Sequence, residues 1–122
     1  MGSHPINLLF RFLLEIITLG ITALWAYRQG GGLFGFVLAV FVPLLLALVW
    51  GVFTVPDDPT RSGHAPVATP GPIRLFIELG IFAFATLTFY DLGYSVLSLV
   101  FGMLVLVHYA LSYDRIKWLF QR

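Results

Sequence analysis

Two short motifs hold the charged residues most able to do chemistry. Arg11 and Glu15 stand in Arg11-Phe-Leu-Leu-Glu15, and Arg74 and Glu78 in Arg74-Leu-Phe-Ile-Glu78. A spacing of four puts each pair on one helix face, one turn apart. Apolar runs follow both motifs, so both glutamates fall inside predicted membrane-spanning segments. A charge at the centre of such a segment costs roughly 2.5–3.5 kcal/mol on insertion scales, and less near the interface. Residues this costly usually face a bundle interior or a cavity. One reading is therefore a polar intramembrane site, either a titratable carboxylate pair or a cation site. The other is mutual neutralisation, with each arginine reaching the headgroups and each glutamate matched to the N-terminal end of its helix dipole. Thr18 and Thr22 continue the face begun by Arg11 and Glu15, a polar stripe at helical period. Such threonines line a pathway, or bond to their own backbone or a neighbouring helix.

His108 is the remaining ionisable group within an apolar run. Metal or haem needs several converging ligands, and His4 and His64 fall outside the predicted spans. His108 therefore reads as a hydrogen-bonded packing residue, and no metal or cofactor is expected. The chain has no cysteine, which excludes disulfides, zinc–thiolate sites and thiol nucleophiles. It has no Gly-rich phosphate loop and no catalytic serine context. No catalytic residue is assigned, and an enzyme is not expected.

The elements that must position these residues follow from composition. Of 122 residues, 59% are hydrophobic and 11% charged, against about 25% charged in a soluble domain. So few charges cannot cover so much apolar surface in water, so the solvent must be partly lipid. Net charge is +1 without a basic run, so nucleic acid is not an expected partner. A span needs about 20 apolar residues. Four segments qualify: about Ile6–Tyr27, Leu33–Val55, Ile73–Tyr90 and Tyr94–Tyr113. Helices are expected, since an open sheet cannot satisfy its backbone in lipid. Gln29-Gly30-Gly31-Gly32 and Asp91-Leu92-Gly93 are tight turns, and the stretch from Val55 to Pro72, with five prolines, is an exposed loop without regular structure.

The expected fold is thus an all-α membrane bundle of four spans in one domain, built from two parallel-repeat helical hairpins. Repeat one covers about 6–55, the loop 56–72, repeat two about 73–113, and an amphipathic interfacial tail 114–122. The repeat rests on the two Arg-x-x-x-Glu motifs and more loosely on Leu48-Val49-Trp50 against Leu106-Val107-His108. A pseudo-two-fold along the membrane normal would bring the motifs together, which predicts Arg11 pairing with Glu78 and Arg74 with Glu15. Gly35, Ala39, Pro43, Ala47 and Gly51 form a small-residue ridge suited to close helix approach, within the chain or in a homodimer or larger membrane complex. Pro43 is expected to kink its helix.

Arg11-Phe-Leu-Leu-Glu15, the run Trp50-Gly51-Val52-Phe53-Thr54-Val55-Pro56 and Ile77-Glu78-Leu79 together resemble the YrdB-like family of small bacterial membrane proteins. The likeness extends from about Asn7 to about Leu111. It implies a four-helix protein of the bacterial inner membrane, in a family of unknown function. It also implies family-motif roles for Trp50, Gly51 and Pro56. Two functions are expected from the residues: a transport or permeation protein using Glu15 and Glu78, or a structural or accessory membrane subunit.

Basic residues set the orientation. With both termini in the cytoplasm, Arg61, Arg115, Lys117 and Arg122 lie inside, with Arg11 and Arg74 near that surface, and Arg28 alone lies outside. Trp25, Tyr27, Tyr90, Tyr94 and Trp118 fall at segment ends as an aromatic belt would. In the cysteine-free chain, single cysteines introduced within Gly30–Gly32 or at Gly93 should react with an impermeant thiol reagent from outside. One placed near Arg61 should not. The reverse pattern would invert the topology.

Overall fold

The computed structural model describes residues 5–55 and 67–121. Pro56 of the family motif, the loop residues Asp57, Asp58, Arg61 and His64, and the terminal His4 and Arg122 lie outside the described residues. Five helices are present among those described: α1 (Pro5–Gly30), α2 (Gly32–Val52), α3 (Gly71–Asp91), α4 (Ser95–Leu111) and α5 (Tyr113–Phe120). The four apolar segments expected from the sequence form helices with bounds within a few residues of those expected. α1, α2 and α3 are each long and apolar enough to cross a bilayer. α4 reaches that length only together with α5, from which it is bent by 68°.

The turns follow from glycine chemistry. Gly31 and Gly32 have φ of 65° and 56°, a left-handed backbone that costs glycine little. They reverse the chain between α1 and α2. α3 ends in a Schellman motif: Gly93, at φ 90°, donates to Tyr90 O, and Tyr94 donates to Phe89 O, both at 3.0 Å. These bonds satisfy carbonyls that the helix end would leave orphaned.

α3 is the centre of the bundle. It packs on α1, α4 and α5, while α2 packs chiefly on α1. Phe82 of α3 is 1% exposed and meets the rings of Trp50, Phe101 and Tyr109 at 5.2, 6.3 and 6.1 Å. In contrast, α2 buries only Gly35 and Trp50. Leu33, Phe34, Phe41 and Leu45 lie on its exposed surface. An exposed face this apolar suits lipid rather than water, and the long apolar helices are consistent with a membrane protein.

Two parts differ from the sequence-based expectation. The chain after α2 is not wholly irregular: β1 (Phe53–Thr54) pairs in parallel with β2 (Val67–Ala68). The amphipathic tail makes a contact within the chain that its sequence does not display. α5 docks on α3 with Arg115 and Leu119 buried. Residues four apart share a helix face, so Arg115 lies with Leu119 on the inward side. The start of α3 permits this approach because residue 71 is glycine. A Cβ there would collide with the Leu119 backbone. Gly71→Ala should therefore lift α5 away and lower stability by about 1–3 kcal/mol. Thermal unfolding in detergent would measure it, and an unchanged midpoint would contradict the tight α3–α5 approach.

Candidate functional site

The two Arg/Glu motifs converge, but not symmetrically. Glu78 is completely buried, whereas the Glu15 side chain is 27% exposed. Around Glu78, Arg11 Nη2 donates to Oε2 at 3.0 Å and Arg74 Nε to Oε2 at 2.7 Å. Arg115 clamps both oxygens, Nη1 to Oε1 and Nη2 to Oε2, each at 2.8 Å. Tyr109 donates its hydroxyl to Oε1 at 2.8 Å. A carboxylate offers about four lone-pair sites, so these five contacts saturate it. Charge-assisted and bidentate bonds are the strong class of hydrogen bond.

The helices supply these groups for local reasons. α1 turns Asn7, Arg11, Leu14, Thr18 and Thr22 inward as one stripe. α3 presents Arg74, Glu78, Ile81, Phe82 and Ala85 on its buried side. Arg74 has a second task. Its Nη1 donates to the carbonyls of Trp50 at 2.6 Å and Phe53 at 2.7 Å. Those carbonyls lie at the C-terminal end of α2, where helix ends leave acceptors orphaned and the dipole favours a cation. The guanidiniums of Arg11 and Arg74 also sit 5.4 and 5.1 Å from the Trp50 ring centroid, within cation–π range.

The expected Arg11–Glu78 pairing across the motifs is therefore present. Arg74 gives its short contacts to Glu78 and to the α2 carbonyls. Glu15 meets Arg11 Nε at 3.3 Å, longer than any of the Glu78 contacts. Thr18 and Thr22 donate to their own helix, to Leu14 O at 2.8 Å and Thr18 O at 2.7 Å. His108 is a packing residue bonded to Asn7: its Nδ1 lies 3.1 Å from Asn7 Oδ1, and Asn7 Nδ2 donates to Ser112 Oγ at 2.7 Å. A Cβ added at Gly51 would meet no atom of a neighbouring element among the described residues, so its place in the small-residue ridge is open.

Sequence reasoning missed Arg115, Tyr109 and Asn7 as members of the site. Arg115 was legible in part, because it lies four residues before Leu119 on the apolar face of the tail. The hydrogen bonds of Asn7 and Tyr109 reach partners far along the chain, so neither residue gives a local signal of its place in the site.

Beside this cluster lies a cavity of about 210 Å³, lined by Glu15, Thr18, Leu46, Trp50 and Ile81 among others. Its size admits several water molecules. Glu15 borders it; Glu78 does not. The indole N–H of Trp50 is buried with no acceptor among the described residues.

A predominantly helical protein with long apolar helices around a buried arginine–glutamate cluster is the class this arrangement defines. Residues 9–106 match the family described as "Protein of unknown function (DUF2568)", and the chain belongs to that family. It is also 44% identical over 113 residues to "Uncharacterized protein YrdB" of Bacillus subtilis (strain 168), covering 93% of this chain and 92% of that protein. The YrdB-like resemblance of the motifs is thus a family relationship. No solved structure gives a significant match.

The two glutamates should respond differently to neutralisation. Glu78→Gln leaves three arginines around an uncharged amide, and breaking a buried pair costs on the order of 3–5 kcal/mol. Tyr109→Phe removes one donor to a charged acceptor, worth about 1.5–3 kcal/mol. Unfolding curves in detergent should rank Glu78→Gln as the more damaging. Equal small losses would contradict a central role for this carboxylate.

Proposed function

We propose that this chain is a multi-pass protein of the bacterial inner membrane, with four spans and both termini in the cytoplasm, that carries a small solute or ion past Glu15. The observation that supports this reading is the inequality of the two carboxylates. Glu78 is sealed by five donor contacts. Glu15 borders a cavity, and its contact with Arg11 is long. A transported group must exchange partners during its cycle, and a saturated, fully buried carboxylate has none to exchange. Arg11 makes exchange at Glu15 feasible, because it keeps its bond to Glu78 when Glu15 takes another partner. In this reading Glu78, Arg74 and Arg115 hold the scaffold, and Glu15 with Thr18 and Trp50 forms the exchangeable site.

A second reading, an accessory subunit that joins itself or a larger membrane complex, draws support from α2. That helix buries little within the chain, and Gly51 is open to a neighbour.

Purified protein in vesicles distinguishes the two. In the transport reading, wild-type vesicles pass a monovalent cation or proton, measured with fluorescent indicators. Glu15→Gln abolishes that flux while the melting temperature stays nearly unchanged. A folded Glu15→Gln protein with wild-type flux would overturn the role of Glu15. Wild-type vesicles no leakier than empty ones to every tested ion, with the protein migrating as an oligomer, would favour the accessory reading.

A further inference from the structure

The opposite end of the bundle holds a second cleft, of about 490 Å³, lined by Trp25, Gln29, Phe84, Thr88, Tyr90 and Asp91 among others. Trp25 lies 14 residues after Arg11 and Asp91 13 after Glu78, about 20 Å along each helix at 1.5 Å per residue. The cleft shares no lining residue with the Glu15 cavity, and the proposal made for it does not rest on the transport reading.

Three features give the cleft its chemistry. The first is an anion in an unfavourable place. Asp91 ends α3, where the dipole disfavours negative charge, and the last turn of α3 has no basic residue. Trp25 Nε1 donates to its Oδ2 at 2.8 Å across to α1, which fixes the carboxylate without neutralising it. The second is the direction of the donors. Gln29 Nε2 donates to Trp25 O at 3.3 Å and Thr88 Oγ1 to Ala85 O at 2.7 Å. Both donors are turned toward the backbone, and Asp91 Oδ1, Gln29 Oε1 and the Thr88 hydroxyl oxygen keep acceptor capacity. The third is the aromatic wall. Trp25 and Phe84 meet edge to face at 5.4 Å, and Tyr90 is 67% exposed beside them. Aromatic faces attract cations.

We propose that this cleft binds a primary ammonium group. An ammonium has three N–H donors and one positive charge, which matches a carboxylate, further acceptors and aromatic faces at the end of a helix dipole. A lipid headgroup and a free amine share this chemistry. The headgroup of an aminophospholipid is the source at hand if the cleft lies at the membrane surface, where tryptophan and tyrosine concentrate.

The full-length protein would be placed in nanodiscs of phosphatidylglycerol alone and titrated with ethanolamine at constant ionic strength, with tryptophan fluorescence as the readout. A parallel series would replace part of the lipid with phosphatidylethanolamine. A saturable signal from ethanolamine, equal in both lipids, assigns a soluble amine. A signal that follows phosphatidylethanolamine content assigns the lipid. Either result should weaken about tenfold or more in Asp91→Asn, which keeps an acceptor for Trp25 but loses the charge. Tyr90→Ala, at an exposed position that leaves the fold undisturbed, should also weaken it. No saturable signal in either series, or variants that match the wild type, would overturn the proposal.

Discussion

One buried carboxylate holds this protein together. Glu78 sits with no solvent exposure where α1, α3, α4 and α5 meet, and each contributes to its shell: Arg11, Arg74, Tyr109 and Arg115. Through Arg74 the same shell reaches the last turn of α2. An ion removed from water loses several kcal/mol of solvation, and the loss is offset only when its remaining lone pairs find good partners. That requirement fixes five helices relative to one another. In a bundle whose outer surface is apolar, helix association gains little from the hydrophobic effect, so directional polar contacts carry more of the specificity.

The same constraint explains why two similar motifs serve different ends. Both begin as Arg-x-x-x-Glu, yet α3 lies at the centre of the bundle and α1 toward its flank. Glu78 is enclosed on every side, whereas Glu15 borders the cavity near α2. Local sequence made the pairs alike, and the number of helices around each made them unlike. Trp50 stands between the two environments, with its ring under Arg11 and Arg74 and its carbonyl bonded to Arg74. A large indole at the end of the least buried helix of the four long ones thereby anchors that helix to the cluster.

Much of the architecture was legible in the sequence because lipid imposes strong rules. Apolar length marked the three helices long enough to cross a bilayer, and glycine fixed the reversals at Gly31–Gly32 and Gly93. A four-residue spacing placed each arginine beside its glutamate, and the backbone bonding of Thr18 and Thr22 follows from helix geometry alone. Membership of the family was readable from the Arg11–Glu15 and Trp50–Gly51 motifs, which lie within the matched residues. These features depend on neighbours within one or two helical turns, and a linear sequence displays such neighbours directly.

The third arginine was decided only by the tertiary structure. Arg115 reaches Glu78 across 37 residues of chain, because α4 bends by 68° into α5 and Gly71 lets Leu119 approach. Asn7 meets His108 across 101 residues and Ser112 across 105. Trp25 meets Asp91 across 66. Of these residues only Arg115 carries a local sign, its place four residues before Leu119, and nothing local points it to Glu78. A buried polar group must find a partner somewhere, so the sequence states the need, while the packing angles of distant helices choose which residue meets it.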